Sequence, residues 1–152
     1  VGAAPEAASL GVPSLAVSMQ TGKEHHFSLS QNIDFSGAGY FTYLIAKKML
    51  EKSLPEDVDV LKVDVPKGAT PETQWVLTRQ SRRRIYFPLP AKRKSLSDRG
   101  PMGYEVRITP ENLEKDSDVY ALLVENKVSV TPLSIDLTSR TDFDALEALL
   151  DH

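Results

Sequence analysis

The segments Ser14-Leu15-Ala16-Val17-Ser18-Met19 and Val58-Asp59-Val60-Leu61-Lys62-Val63-Asp64-Val65 decide the fold. The first is a short apolar run of the kind found in buried parallel strands. The second is rich in β-branched residues and is closed by Pro66, so it reads as another strand. Between them, Phe35 to Lys52 reads as a helix. Tyr40, Phe41, Leu44, Ile45 and Met49 recur at the spacing of one helical face. Lys47, Lys48 and Lys52 fall near its end, where cations suit the helix dipole. Strand, helix and strand in this order predict a βαβ unit with parallel strands. Upstream, the Ala- and Glu-rich Val1 to Leu10 reads as a helix, ended by Gly11 in the left-handed conformation. Pro5 fits only near a helix start.

Beyond Pro66 the character changes. Gln74 to Gln80, Ile85 to Leu89 and Tyr104 to Ile108 read as strands. Pro88 to Met102 carries Pro, Lys, Arg, Ser and Gly and reads as a loop or the tip of a projecting hairpin. Thr109-Pro110-Glu111-Asn112 has a helix-start pattern, with Thr109 as the cap. Asp118 to Val124 reads as a short helix. Val128-Ser129-Val130 reads as a strand ended by Pro132, with Leu133, Ile135 and Leu137 alternating after it. Thr141 to Leu150 reads as a final amphipathic helix with Phe143, Leu146, Leu149 and Leu150 as its stripe. This divides the chain into an α/β core over residues 1–66 and a β-rich extension over 67–152.

The 152 residues are 41% hydrophobic and 26% charged, the mix of one ordinary globular domain. With 18 Lys+Arg against 21 Asp+Glu the net charge is −3, which argues against nucleic-acid binding through bulk charge. No cysteine is present, so disulfides, thiolate zinc sites and cysteine nucleophiles are excluded. No apolar run approaches the roughly 18–20 residues of a membrane helix. A cytoplasmic protein with no membrane partner is the expectation.

Complete catalytic constellations are missing. His25 and His26 are adjacent and diverge, so they do not chelate one ion; a polar loop is the simpler reading. Three Asp-x-Asp pairs, at Asp57/Asp59, Asp116/Asp118 and Asp142/Asp144, could suit a hard cation. Each lies at an element boundary, where turn formation and helix capping explain it. Gly37-Ala38-Gly39 lacks the Walker and dinucleotide patterns. Ser14 and Ser18 lack a nucleophile-elbow context. Arg79, Arg82, Arg83 and Arg84, with Lys92, Arg93, Lys94 and Arg99, concentrate positive charge. Such a patch steers phosphorylated substrates or holds a phosphate, or it is a solvated hairpin or an interface that pairs with the acidic Glu111-to-Asp118 stretch of a neighbouring subunit; the structural use is favoured.

Four segments in order resemble the SurE family of survival-protein nucleotidases. They are Val1-Gly2-Ala3-Ala4 through Leu10-Gly11-Val12-Pro13-Ser14-Leu15-Ala16-Val17-Ser18; Lys62-Val63-Asp64-Val65-Pro66; Thr78-Arg79-Gln80-Ser81-Arg82-Arg83-Arg84; and Asp116-x-Asp118 leading into Val128-Ser129-Val130-Thr131-Pro132-Leu133-Ser134-Ile135-Asp136-Leu137-Thr138. The resemblance implies the C-terminal part of a Rossmann-type three-layer α/β sandwich. To this it adds a β-rich extension, a projecting hairpin and a C-terminal tail used in homodimer or homotetramer assembly. It implies a phosphatase acting on nucleoside 5′- and 3′-monophosphates with Mg²⁺ or Mn²⁺. The family's metal ligands precede the Val-Gly-Ala-Ala helix, so catalytic and metal residues are expected outside this chain. Val1 and Gly2 match the helix end that faces the phosphate. Pro5, Lys62, Asp64 and Ser81 depart from the family pattern, which points to a divergent member with altered substrate preference or weak activity; a non-catalytic nucleotide-binding or assembly module on the same scaffold is the alternative. On this comparison, upstream sequence is expected to cover Val17, Val60 and Val63, and the isolated chain is expected to be inactive.

Overall fold

In the computed structural model, β1 (Ser14–Met19) and β2 (Val60–Val65) pair in parallel from Ser14↔Val60 to Met19↔Val65. The structure describes residues 2–22, 25, 33–90, 93, 95, 97–98 and 103–151. The crossover is α2 (Ser36–Glu51), which packs on β1 and β2. This is the βαβ unit that the sequence predicts. Preceding it, α1 (Ala3–Ser9) ends at Gly11, whose φ of 79° and N–H bond to the Ala8 carbonyl make the expected left-handed stop.

The sheet has the order β1-β2-β6-β3. β6 (Val128–Leu133) lies antiparallel to β2, and β3 (Trp75–Leu77) lies parallel to β6. The change of character at Pro66 therefore does not interrupt the sheet. β6 also runs through Pro132, where the sequence predicts a stop. β3 accompanies β6 only over Val128–Val130, so at Pro132 one side of the strand has no ladder partner and a missing N–H costs little.

Period two divides the sheet into unlike faces. Leu15, Val17, Met19, Leu61, Val63, Val65, Val128 and Val130 face α2 and form one core with Phe41 and Ile45. Burying a side chain such as Phe41 contributes roughly 1.5–3 kcal/mol. The opposite face carries Ser18, Lys62, Asp64, Ser129 and Thr131, with α3 (Asp118–Leu123) upon it. Val60 and Val63, expected to await cover from elsewhere, are buried by this chain's own elements. Tyr40 is a second correction. It sits one residue off the Phe41–Ile45 line and is half-exposed at the strand ends rather than in the core.

The extension holds the antiparallel pair β4 (Tyr86–Leu89) and β5 (Gly103–Val106), as the hairpin reading expects. Thr109 precedes a single 3₁₀ turn, Pro110–Asn112, and makes no side-chain cap bond. Past Leu133 the alternating pattern does not continue as a strand, and Leu137 is exposed. The last helix, α4 (Phe143–Leu150), is capped by Asp142, but its stripe of Phe143, Leu146, Leu149 and Leu150 lies exposed.

Gly37 and Gly39 give a matched test of this packing. A Cβ on Gly37 would stand 2.2 Å from the Ala69 carbonyl oxygen, whereas Gly39 has nothing within 4 Å. Gly37→Ala should destabilise by about 1–3 kcal/mol. Gly39→Ala should stabilise by about 0.5–1 kcal/mol, because alanine suits a helix better. Urea midpoints of the two variants decide; equal shifts would contradict the packing of α2 against the turn after β2.

Candidate functional site at the carboxyl edge of the parallel strands

Two parallel strands joined by one crossover end at the same sheet edge, and the loops that leave them lie side by side. In open α/β sheets this edge is where ligands bind. Here it forms a cavity of about 490 Å³. Met19, Gln20, Thr21 and Gly22 come from β1 and its exit; Lys67 to Pro71 come from the exit of β2; Ile33, Asp34, Ser36, Gly37 and Tyr40 come from the start of α2. The two exits are tied together where the Lys67 N–H donates to Gln20 Oε1 at 3.3 Å. The turn after β2 is closed by the Ala69 N–H bond to the Pro66 carbonyl.

Asp34 accepts from the Ser36 N–H at 2.8 Å. That bond, then the Ser36 side chain, holds the Asp34 carboxyl below the usual carboxylate range. A fixed negative charge therefore stands at the N-terminus of α2 at neutral pH. His25 also lines the cavity. His26 and His152 lie outside the described residues, as do Lys92, Lys94 and Arg99.

On the polar face of the sheet, Lys62 Nζ lies between two carboxylates, 2.5 Å from Asp64 and 2.7 Å from Asp118. Asp64 also accepts from Ser18 Oγ at 2.7 Å. Asp118 Oδ1 accepts from the N–H groups of Ser81 and Val119. This ties β1, β2, α3 and the Arg79–Arg84 segment into one network. Beside it, Thr78, Ser129 and Thr131 exchange hydroxyl bonds in full burial. The Asp116/Asp118 pair is thus not a cap. Ser117 caps α3 by accepting from the Tyr120 N–H, while Asp118 pairs with Lys62. Asp57 and Asp142 do follow the sequence reading, the first in a turn with φ 65° and the second as a helix cap.

The basic run is spread out rather than gathered. Arg79 lies 3.2 Å from Asp116, and Arg83 lies 3.9 Å from Glu114, both exposed. Arg84 stacks over the Phe87 ring at 5.0 Å, beside Arg107 at 4.7 Å. Glu114 and Asp116 of the acidic stretch therefore pair with Arg83 and Arg79 within one chain. Arg82 is exposed and has no such partner among the described residues. Gly2 heads α1 with helical angles and open space at its Cα; Val1 lies outside the described residues.

The donor set does not form a metal cage. Among the described residues no three His, Asp or Glu side chains converge, and Lys62 already fills the gap between Asp64 and Asp118. No chemical step is assigned to a metal held by these residues. Also among the described residues, no helix is long and apolar enough to cross a membrane.

An open α/β sheet with its cavity at the carboxyl edge defines a ligand-binding class of fold. Comparison narrows it. The family model described as survival protein SurE matches residues 1–86, and the chain belongs to that family. It is 43% identical over 149 residues to the 5′-nucleotidase SurE of Thermococcus kodakarensis, covering 97% of this chain and 56% of that protein. Against the 5′-nucleotidase SurE of Archaeoglobus fulgidus it is 39% identical over 152 residues, covering 99% and 56%. The crystal structure of the SurE protein from Aquifex aeolicus superposes with a TM-score of 0.70 at 29% identity, covering 99% of this chain and 57% of that one. The chain thus spans about half the length of the curated relatives it matches.

The Lys62 network makes a measurable demand. Burial alone would lower the Lys62 pKa, but the hydrogen bonds and charges of Asp118 and Asp64 outweigh it, so the net shift is upward from 10.5. A raised lysine pKa stabilises the fold fully below 10.5, and that contribution is lost as pH rises through the higher folded value. Lys62→Met should cost about 3 kcal/mol at neutral pH by leaving two carboxylates unpaired. The gap between wild-type and variant urea midpoints should then narrow above about pH 10.5. A gap that stays constant into strong alkali would contradict the ion network.

Proposed function

We propose that the protein containing this chain is a cytoplasmic phosphatase of nucleoside 5′- and 3′-monophosphates. The observation that carries this reading is the family membership over residues 1–86, together with relatives named 5′-nucleotidase SurE. The cavity at the carboxyl edge of β1 and β2 supports it, since that edge is where such a fold takes its ligand. In this reading Mg²⁺ or Mn²⁺ belongs to the intact enzyme and takes its ligands from outside residues 1–152. Val1 and Gly2 mark the phosphate-facing end of α1. Arg79, Arg83 and Arg84 shape the hairpin base and serve assembly, and exposed Arg82, whose side chain has no ion-pair partner among the described residues, steers an anion.

Assembly runs through α4 in the same reading, as a homodimer or homotetramer. Its exposed stripe is flanked by Asp142, Asp144, Glu147 and Asp151, with no basic residue. An apolar groove of about 240 Å³ between the C-terminal half of α2 and β3 has Lys48 and Lys52 among its lining residues. Its apolar lining and two lysines complement the apolar stripe and acidic flanks of α4 from a second copy. In the full-length protein, Leu149→Asp should lower the mass measured by light scattering; an unchanged mass would remove α4 from the interface.

Phosphate release from AMP and GMP, with Mn²⁺ and with EDTA, tests the activity. The full-length gene product should turn over with Mn²⁺ and stop with EDTA, and residues 1–152 alone should release none. A full-length protein that is inert with every divalent ion would overturn the nucleotidase reading. Turnover by residues 1–152 alone would overturn the placement of the ligands.

A further inference from the structure

We propose that the cavity at the carboxyl ends of β1 and β2 is a nucleoside subsite, with the Tyr40 ring as its stacking wall and the Asp34 carboxylate as its acceptor. This rests on the nucleotidase reading and names which part of the substrate sits where. The volume of about 490 Å³ falls in the range of small-molecule pockets.

The lining argues for a base and ribose rather than a phosphate. Met19, Ile33, Tyr40 and Pro71 supply apolar and aromatic surface, which a flat base buries well. A phosphate would seek the free N–H groups at the start of α2. Asp34 already occupies that end, accepting from the Ser36 N–H and presenting its own negative charge. An anion there meets repulsion; a neutral ring or a diol does not. Ser36 engages Asp34 through its N–H and its side chain, and the carboxylate, with about four lone-pair sites, keeps acceptor capacity beyond those bonds. It is positioned to accept from a ribose hydroxyl or a ring N–H. Lys67, on the exit of β2, adds a donor to the same lining, and its amide bond to Gln20 holds the two loops in register. A donor and an acceptor against an apolar wall complement the edge and face of a nucleoside.

The cavity is built from three separate segments, so its shape depends on the close approach of Gly37 to Ala69. Tyr40 and Asp34 are themselves exposed enough to be changed without opening the core. Asp34→Asn keeps an oxygen for the Ser36 N–H and removes the charge. Tyr40→Leu keeps the helix and removes the ring.

Calorimetric titration of the full-length protein with adenosine and with uridine, neither carrying phosphate, reads the subsite directly. Wild type should bind at least one of them, and each variant should weaken that binding by about tenfold. Thermal melting of each variant checks that the fold is kept. In hydrolysis, kcat/KM for AMP should fall about tenfold further than kcat/KM for p-nitrophenyl phosphate. The proposal is overturned if wild type binds neither nucleoside, if it binds inorganic phosphate in the cavity instead, or if the variants bind as wild type does. Parallel loss on both esters would reduce Asp34 and Tyr40 to structural roles and overturn it as well. A protein that hydrolyses neither ester fails as a nucleotidase, while the titration still decides what the cavity binds.

Discussion

The parallel register of β1 against β2 is the constraint on which the rest depends. Once Ser14 stands beside Val60 and Met19 beside Val65, both strands must end at one edge. The connection between them must then cross a face of the sheet, and α2 is that crossing. The crossing brings the first turn of α2 back to the strand ends, where Gly37 meets the turn after β2. The cavity is a consequence of that return. A one-residue slip would send Val63 and Val65 to the polar face and Lys62 and Asp64 into the α2 core.

The unlike faces of the sheet set unlike tolerances. On the α2 face, Phe41, Val63, Val65 and Val128 are fully buried, so changes there act through packing. On the other face, stability rests on satisfied polar groups. Among the described residues, no buried side-chain N or O atom lacks a hydrogen-bond partner. A cation between two carboxylates, with backbone N–H groups on the second of them, satisfies the buried charges together. The network also fixes where the Arg79–Arg84 segment leaves the sheet, because the Ser81 N–H is one of its donors. Lys62 and Asp64, two apart on β2, are therefore partners in space.

Much of the fold was legible because it is written in local periodicity. Ser14–Met19 and the helix from residue 36 to 51 follow from apolar spacing, and Gly11 from backbone geometry. The misreadings come from what a single strand cannot show. Pro132 looked like a stop because the sequence does not reveal that its far side lacks a partner. The Val60, Lys62, Asp64 alternation is in plain view, yet reading the segment simply as a β-branched strand does not say what its polar side meets. Asp118 read as a cap because its partner lies 56 positions away. The candidate site was the least legible part. Gln20, Asp34, Tyr40 and Lys67 belong to three segments that carry no shared motif. Only the rule that ligands meet parallel strands at their carboxyl ends could have gathered them.

A crystal structure of the full-length protein with a bound nucleoside monophosphate tests the account most directly. The account predicts the base and ribose at the carboxyl ends of β1 and β2, against Tyr40 and Asp34, with the phosphate directed toward Gly2 and away from the start of α2. A nucleotide seated elsewhere, or one whose phosphate lies on Ser36 and Gly37 at the start of α2, would contradict it.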